Sequence, residues 1–229
     1  MKALSIVLLL LITALPALAK KTWEKNPKNW SLEDCERVQT SSPWCSESYK
    51  PLSGDDHYLV KAQWVSPVIV CAEAREEQLD SGQDLKYLQE RYNERLKQEG
   101  LDKNKIIKIN VFPMKGVGMV GQNLHELYSS DPFFRDLSQN IKLVRNKNRD
   151  DFISPKDFKP LGSSLSDGFQ VVFPNDGFIS ARTWRAELLL ESEAGEFKFI
   201  FEPRKMKPFD LKFKTQSVSS GKSGKSTGR

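Results

Sequence analysis

The residues able to carry chemistry are few. The chain has two histidines, His57 and His125, and three cysteines, Cys35, Cys45 and Cys71. The histidines are far apart and are not spaced as ligands on one helix or strand. Asp55-Asp56-His57 offers oxygen and nitrogen donors to a metal, but an acidic turn before a strand uses the same residues. No G-x-S-x-G elbow presents a serine nucleophile. Carboxylates are plentiful, and two of them meeting in the fold would support hydrolysis, a pairing that sequence alone does not locate. Gly116-Val117-Gly118-Met119-Val120-Gly121 matches the G-x-G-x-x-G pattern that lets backbone approach a pyrophosphate at a helix N-terminus. Pro113 and two further residues separate it from the preceding strand and no βαβ unit follows, so it reads as a loop. Gly221 to Thr227 imitates a phosphate-binding loop but lacks the glycine five residues before its Gly-Lys pair. Arg145, Lys147 and Arg149 alternate, and Arg204, Lys205 and Lys207 cluster. Neither group has the interleaved aromatics that stack on bases, so both read as solvated edges and no nucleic acid is expected. No catalytic residue, metal ligand or cofactor is assigned.

The elements that must position these residues change in type along the chain. Ser31, with Asp34 three residues later, predicts a capping box, and Leu32, Cys35 and Val38 follow at helical spacing until Ser42-Pro43. Ser66-Pro67 opens a second predicted helix to about Leu79. A third runs over residues 84–98, with Leu85, Leu88, Tyr92 and Leu96 as its apolar stripe and Gly100 as its stop. Residues 58–64 read as a strand, and residues 51–57 as a loop. From Lys105 the period becomes two. Ile107, Ile109 and Val111 face one way, Lys108 and Asn110 the other, and Pro113 is expected to end the strand. A short helix is expected over 122–129, another near Asp131-Pro132, and a strand through Phe169, Val171 and Phe173. The clearest element is a hairpin around Ser192 to Gly195 that pairs Leu190 with Phe197, Leu188 with Phe199 and Ala186 with Phe201, with Arg185 facing Glu202 outside. Phe209, Leu211 and Phe213 continue the alternation as a last strand. Ten of the thirteen phenylalanines follow residue 150, so sheet concentrates late and helix early. The expectation is an α+β fold, a helical N-terminal half packed on a mainly antiparallel sheet from the C-terminal half.

Compartment follows from the N-terminus. Met1-Lys2, an apolar run, Pro16 and Ala17-Leu18-Ala19 form the pattern of a secretory leader over residues 1–19, cut between Ala19 and Lys20. The run is shorter than the roughly twenty residues a membrane-crossing helix needs, and no later segment supplies one. The expectation is export to the periplasm or the extracellular space, with no transmembrane segment after cleavage. The formal charge of +5 suggests anionic partners. Lys2 leaves with the leader, however, and residues 215–229 hold Lys222, Lys225 and Arg229 without an acid, so the body is nearly neutral. The tail has nothing to bury and is expected to be disordered, with a weak contact to anionic surfaces. Residues 20–214 remain as a single α+β domain.

Trp30-Ser31-x-x-Asp34-Cys35, leading to Ser42-Pro43-Trp44-Cys45, resembles the W-[ST]-x-x-[DE]-A…S-P-W-A segment of uncharacterised secreted proteins common in acidobacteria. The likeness continues loosely through Tyr58-Leu59-Val60, Ile109 to Met114, Val172-Phe173-Pro174 and Phe197 to Met206. It implies a bacterial origin and export, and no activity is established for the family. Cys35 and Cys45 both stand where the pattern has alanine. One bridge in place of two small residues, with the Ser-Pro turn bringing the chain back, predicts a Cys35–Cys45 disulfide. Cys45–Cys71 is the next candidate, and Cys71 is otherwise a buried thiol. Trp23, Trp30 and Trp44 are the aromatic excess that alternation does not assign inward. They are candidates for a partner surface, although capping the fold uses the same rings. The resulting expectation is a non-catalytic binding or structural module of the cell envelope, its partner an unknown protein or cell-surface polymer. The alternative is a periplasmic hydrolase using carboxylates.

Overall fold

The computed structural model describes residues 21–206, apart from 53, 55, 102–104, 118–119, 123–130, 138–139 and 164. The leader with its Ala19–Lys20 junction, His125, the strand expected around 209–213 and the tail at 215–229 lie outside the described residues, as does most of the helix expected over 122–129.

Three helices form where their caps predict. Helix α1 (Leu32–Thr40) starts on a reciprocal capping box: the Asp34 amide donates to Ser31 Oγ at 3.2 Å and the Ser31 amide to Asp34 Oδ2 at 3.4 Å. Helix α2 (Pro67–Asp80) has Ser66 as N-cap and Pro67 at its first position. Helix α3 (Leu85–Glu99) is capped by Asp84 and ends at Gly100, whose φ of 61° is the left-handed conformation that glycine adopts without a Cβ penalty.

The strands are β1 (Cys45–Pro51), β2 (His57–Trp64), β3 (Ile106–Val117), β4 (Val120–Gln122), β5 (Ile141–Arg145), β6 (Asn148–Ile153), β7 (Asp157–Pro160), β8 (Phe169–Pro174), β9 (Ala186–Ser192) and β10 (Gly195–Phe201). They form two antiparallel sheets. The first runs β1-β2-β3-β8-β7 with β4 folded back on β3, and the second runs β10-β9-β5-β6. The fold is α+β, with its helices in the N-terminal half. The first sheet nevertheless takes β1, β2 and β3 from that half, so helices and sheet are less segregated than the phenylalanine distribution suggests.

The two sheets meet at the edges of β1 and β10, where Ser46 and Ser48 hydroxyls accept from the amides of Ile200 and Lys198 at 2.9 and 3.4 Å. Side-chain oxygens thus satisfy an edge that would otherwise stand open to pairing. The sheets' inner faces enclose the larger core: Val60, Ile109, Val111, Phe169, Phe173, Leu188, Phe197 and Phe199 are all fully buried. Each such side chain contributes about 1.5–3 kcal/mol by leaving water.

The β9–β10 hairpin has the expected register, Leu190↔Phe197, Leu188↔Phe199 and Ala186↔Phe201. The outer pair Arg185–Glu202 does not form. Arg185 binds Glu187, two residues further on, at 2.5 Å, and Glu202 binds Lys205 at 2.6 Å. The basic alternation at Arg145, Lys147 and Arg149 is broken by the β5–β6 turn, with Asn146 and Lys147 at φ 53° and 66°. Arg145 then pairs with Asp151, and Arg149 with Glu196.

Strand β3 does not stop at Pro113. The Lys108 carbonyl accepts from Val65 on the β2 side, whereas the Lys105 carbonyl accepts from Asn175 on the β8 side. Backbone groups alternate along a strand, so Pro113, of the same parity as Lys105, lacks its N–H toward β8. On that side pairing ends at Val111↔Phe169 and resumes with β4 at Lys115↔Gln122. The proline sits in the gap and removes no ladder bond. Among the described residues, no helix is long and apolar enough to cross a membrane.

Candidate functional site

The second core lies in the helical layer. Trp30 and Trp44 are buried there with Cys35, Val38, Cys71 and Leu88. Arg75 of α2 is also buried, and its guanidinium donates to the carbonyls of Trp30 and Lys28 at 3.1 and 2.9 Å and to Gln78 Oε1. Trp30 Nε1 donates to the Thr22 carbonyl at 3.0 Å, and Trp23 stands edge-on to Trp44 with centroids 6.4 Å apart. These ties strap the segment before α1 onto α2. Two of the three tryptophans considered for a partner surface are therefore core residues, and only Trp23 keeps a partly exposed ring. The Trp-Ser…Ser-Pro-Trp pattern has a local structural explanation: Ser31 and Asp34 cap α1, the Ser42 hydroxyl donates to the Val38 carbonyl at its end, and the tryptophans pack beneath it.

No Cys35–Cys45 disulfide forms, and all three cysteines are free. Cys35 points into the helical core, whereas Cys45 begins β1, its thiol donating to the Gln39 carbonyl at 2.8 Å. The Ser42-Pro43 turn feeds a strand rather than folding back on the helix. Burial pushes the Cys35 thiol up to about 12 and raises Cys45 and Cys71, so all three are held protonated.

The outer face of the first sheet carries polar residues in rows. Strand register places Cys45, Gln63, Asn110 and Gln170 side by side across β1, β2, β3 and β8, with Glu47, Lys61 and Phe112 as the next row. The end of α1 is moored over the first row, where Gln63 Nε2 donates to the Gln39 carbonyl at 3.0 Å. Lys108 of β3 binds Glu99 of α3 at 2.8 Å and holds the far side of the helical layer.

Between α1, α2 and this face lies a cleft of about 270 Å³, with Gln39 and Thr40 on one wall, Glu73 of α2 on another, and Gln63, Lys61, Asn110 and Phe112 as floor. Two carboxylates line it. Glu47 faces Lys61 at 3.4 Å, and Glu73 binds Arg95 of α3 at 2.9 Å. Burial pushes the Glu73 carboxyl above its ordinary range, partly offset by Arg95. The acids thus belong to separate ion pairs on separate walls. Glu73 also borders a second groove, with Glu76, Glu77 and Asp80, along the outside of α2. A third cavity at the start of α2 is lined mainly by Trp64, Val65, Ile106 and Ile179.

His57 lies on the same outer face, its ring 5.1 Å from that of Tyr49. Gly116 pairs with Gly121 where β3 and β4 lie antiparallel, so the outer glycines of the G-x-G-x-x-G match sit in strands. Among the described residues, no three His, Cys, Asp or Glu side chains converge as metal ligands. Sequence reasoning missed Gln39, Gln63, Glu73 and Phe112. The available signal was the outward face of β3, where Lys108 and Asn110 alternate with the inward Ile107, Ile109 and Val111, and its neighbour Gln170 between Phe169 and Val171. Comparison with protein-family models, curated proteins and solved structures finds no match for this chain.

Proposed function

We propose that this chain is an exported, non-catalytic binding module of the cell envelope whose ligand enters the cleft between α1, α2 and the outer face of β1–β3. The observation that carries this reading is the composition of the cleft. Its ionised side chains sit in opposite-charge pairs, its thiol is held protonated, and its floor presents carboxamides. Catalysis requires an activated nucleophile or a positioned acid and base, whereas shape and hydrogen-bonding groups suffice for binding. The leader pattern supports export, and mass spectrometry of protein recovered from the envelope or medium should find Lys20 as the first residue. For binding, the mature chain is sedimented with insoluble cell-wall material. The variant Gln63→Leu, checked for an unchanged melting temperature, should stay in the supernatant. Equal retention of that variant contradicts the assignment of the cleft.

Glu73 supports a second reading. A carboxyl raised by burial, in one cleft with Glu47, is the pairing a carboxylate hydrolase uses. Release of soluble fragments from the same material, abolished by Glu73→Gln, would replace the binding module with the hydrolase.

A further inference from the structure

We infer that the ligand of this cleft is an uncharged, hydroxyl-rich glycan strand that runs from the carboxamide row onto the aromatic residues beside it; this rests on the binding reading above. Gln63 is held through its nitrogen by the Gln39 carbonyl, so its oxygen remains as an acceptor. Asn110, its cross-strand partner, is held through its oxygen by Gln170 at 2.9 Å, which leaves its amide nitrogen as a donor. A donor and an acceptor side by side match sugar hydroxyls, each of which both gives and accepts.

The same row carries more polarity than the protein satisfies. Gln170 is 3% exposed, and its Oε1 has no hydrogen-bond partner among the described residues. A buried orphan acceptor is rare in a folded protein; Gln170 does not itself line the cleft and bears on the ligand by holding the Asn110 oxygen.

Charge and shape narrow the class. Glu47 is held by Lys61, and Glu73 by an Arg95 that it shares with Glu77, so the lining offers a ligand no unpaired cation and no unpaired carboxylate. The floor is the face of a sheet, and the β1 edge is occupied by β10, so an extended peptide in the cleft has no strand edge beside it to join. Along the strands, rows repeat every ~6.6 Å. Phe112 lies one row beyond Asn110, and Tyr49, 63% exposed, one row beyond Glu47 with its ring against His57. Aromatic faces carry partial negative charge and accept the C–H edges of sugar rings.

The test follows alkylation of Cys45 by N-ethylmaleimide at alkaline pH, where its thiol begins to ionise, on the whole mature chain, since Cys35 and Cys71 are fully buried. The probes are an N-acetylglucosamine tetramer, a cellotetraose, polygalacturonate and an uncharged extended peptide. A neutral oligosaccharide should slow alkylation several-fold. Asn110→Leu should abolish that protection; Tyr49→Ala, at an exposed ring, should weaken it about ten-fold, close to 1.4 kcal/mol, and leave the melting temperature unmoved. Protection by the peptide, or by polygalacturonate, and by neither neutral oligosaccharide, overturns the uncharged glycan while leaving a binding cleft. Protection by none of the four overturns both readings.

Discussion

Between the two sheets, Phe169, Phe173, Phe197 and Phe199 are buried among aliphatic residues, and polar chemistry enters chiefly where the Tyr58 hydroxyl donates to Asp131 Oδ1 at 2.5 Å. Under the helices, Trp30, Trp44 and Cys71 share their interior with Arg75 and Gln78, whose hydrogen bonds tie backbone carbonyls of separate segments together. The first region is held by area removed from water, which is strong and without direction. The second adds directional bonds that fix where α1 and α2 stand over the sheet. A cleft needs walls at set positions, and here it forms beneath the helical layer, with Gln63 and Cys45 bonded to the end of α1.

The sharpest way to break this comparison is to empty the sheet core. Phe199→Ala removes a fully buried ring from the middle of β10 and should cost about 3–5 kcal/mol, read as a fall in the urea midpoint. Arg75→Met keeps the apolar stem and removes the guanidinium's hydrogen bonds to the Trp30 and Lys28 carbonyls. Its expected cost is about 2 kcal/mol, with a shift in tryptophan fluorescence that Phe199→Ala does not produce before unfolding. A larger loss from Arg75→Met than from Phe199→Ala would reverse the assignment of the two regions.

A smaller effect is expected from acid. The Glu77 carboxylate accepts from the Tyr87 hydroxyl and from Arg91 and Arg95, and these bonds hold its folded pKa down to about 2 against some burial. A lowered folded pKa stabilises the fold above the unfolded value. That contribution is complete above pH ~4.5 and fades as pH falls towards ~2. Glu77→Gln should flatten the fall in melting temperature across this window. A slope identical to that of the unsubstituted chain would remove Glu77 from the network that braces α2 against α3.

The uneven legibility of the sequence follows the same division. The β9–β10 hairpin announced its register because Leu188, Leu190, Phe197 and Phe199 obey a period of two with one buried face, and a one-residue slip would expose them all. Helix ends were equally legible, since Ser31, Ser66, Asp84 and Gly100 satisfy backbone groups locally. The cleft was not. Gln39, Gln63, Glu73 and Asn110 come together only because α1 and α2 settle on the outer face of β2 and β3, and no spacing along the chain encodes that meeting. The disulfide expectation failed for a related reason. Cys35 and Cys45 are near in sequence, but one faces the helical core and the other a carbonyl at the mouth of the cleft.

The most direct measurement is an amide chemical-shift map of the mature chain titrated with the neutral oligosaccharide, with reducing ends assayed in the same samples. The account predicts shifts gathered at Gln39, Cys45, Lys61, Gln63, Asn110 and Phe112, silence across β9 and β5, and no new reducing ends. Shifts centred on the second sheet, or reducing ends that appear with time and vanish in Glu73→Gln, would contradict it.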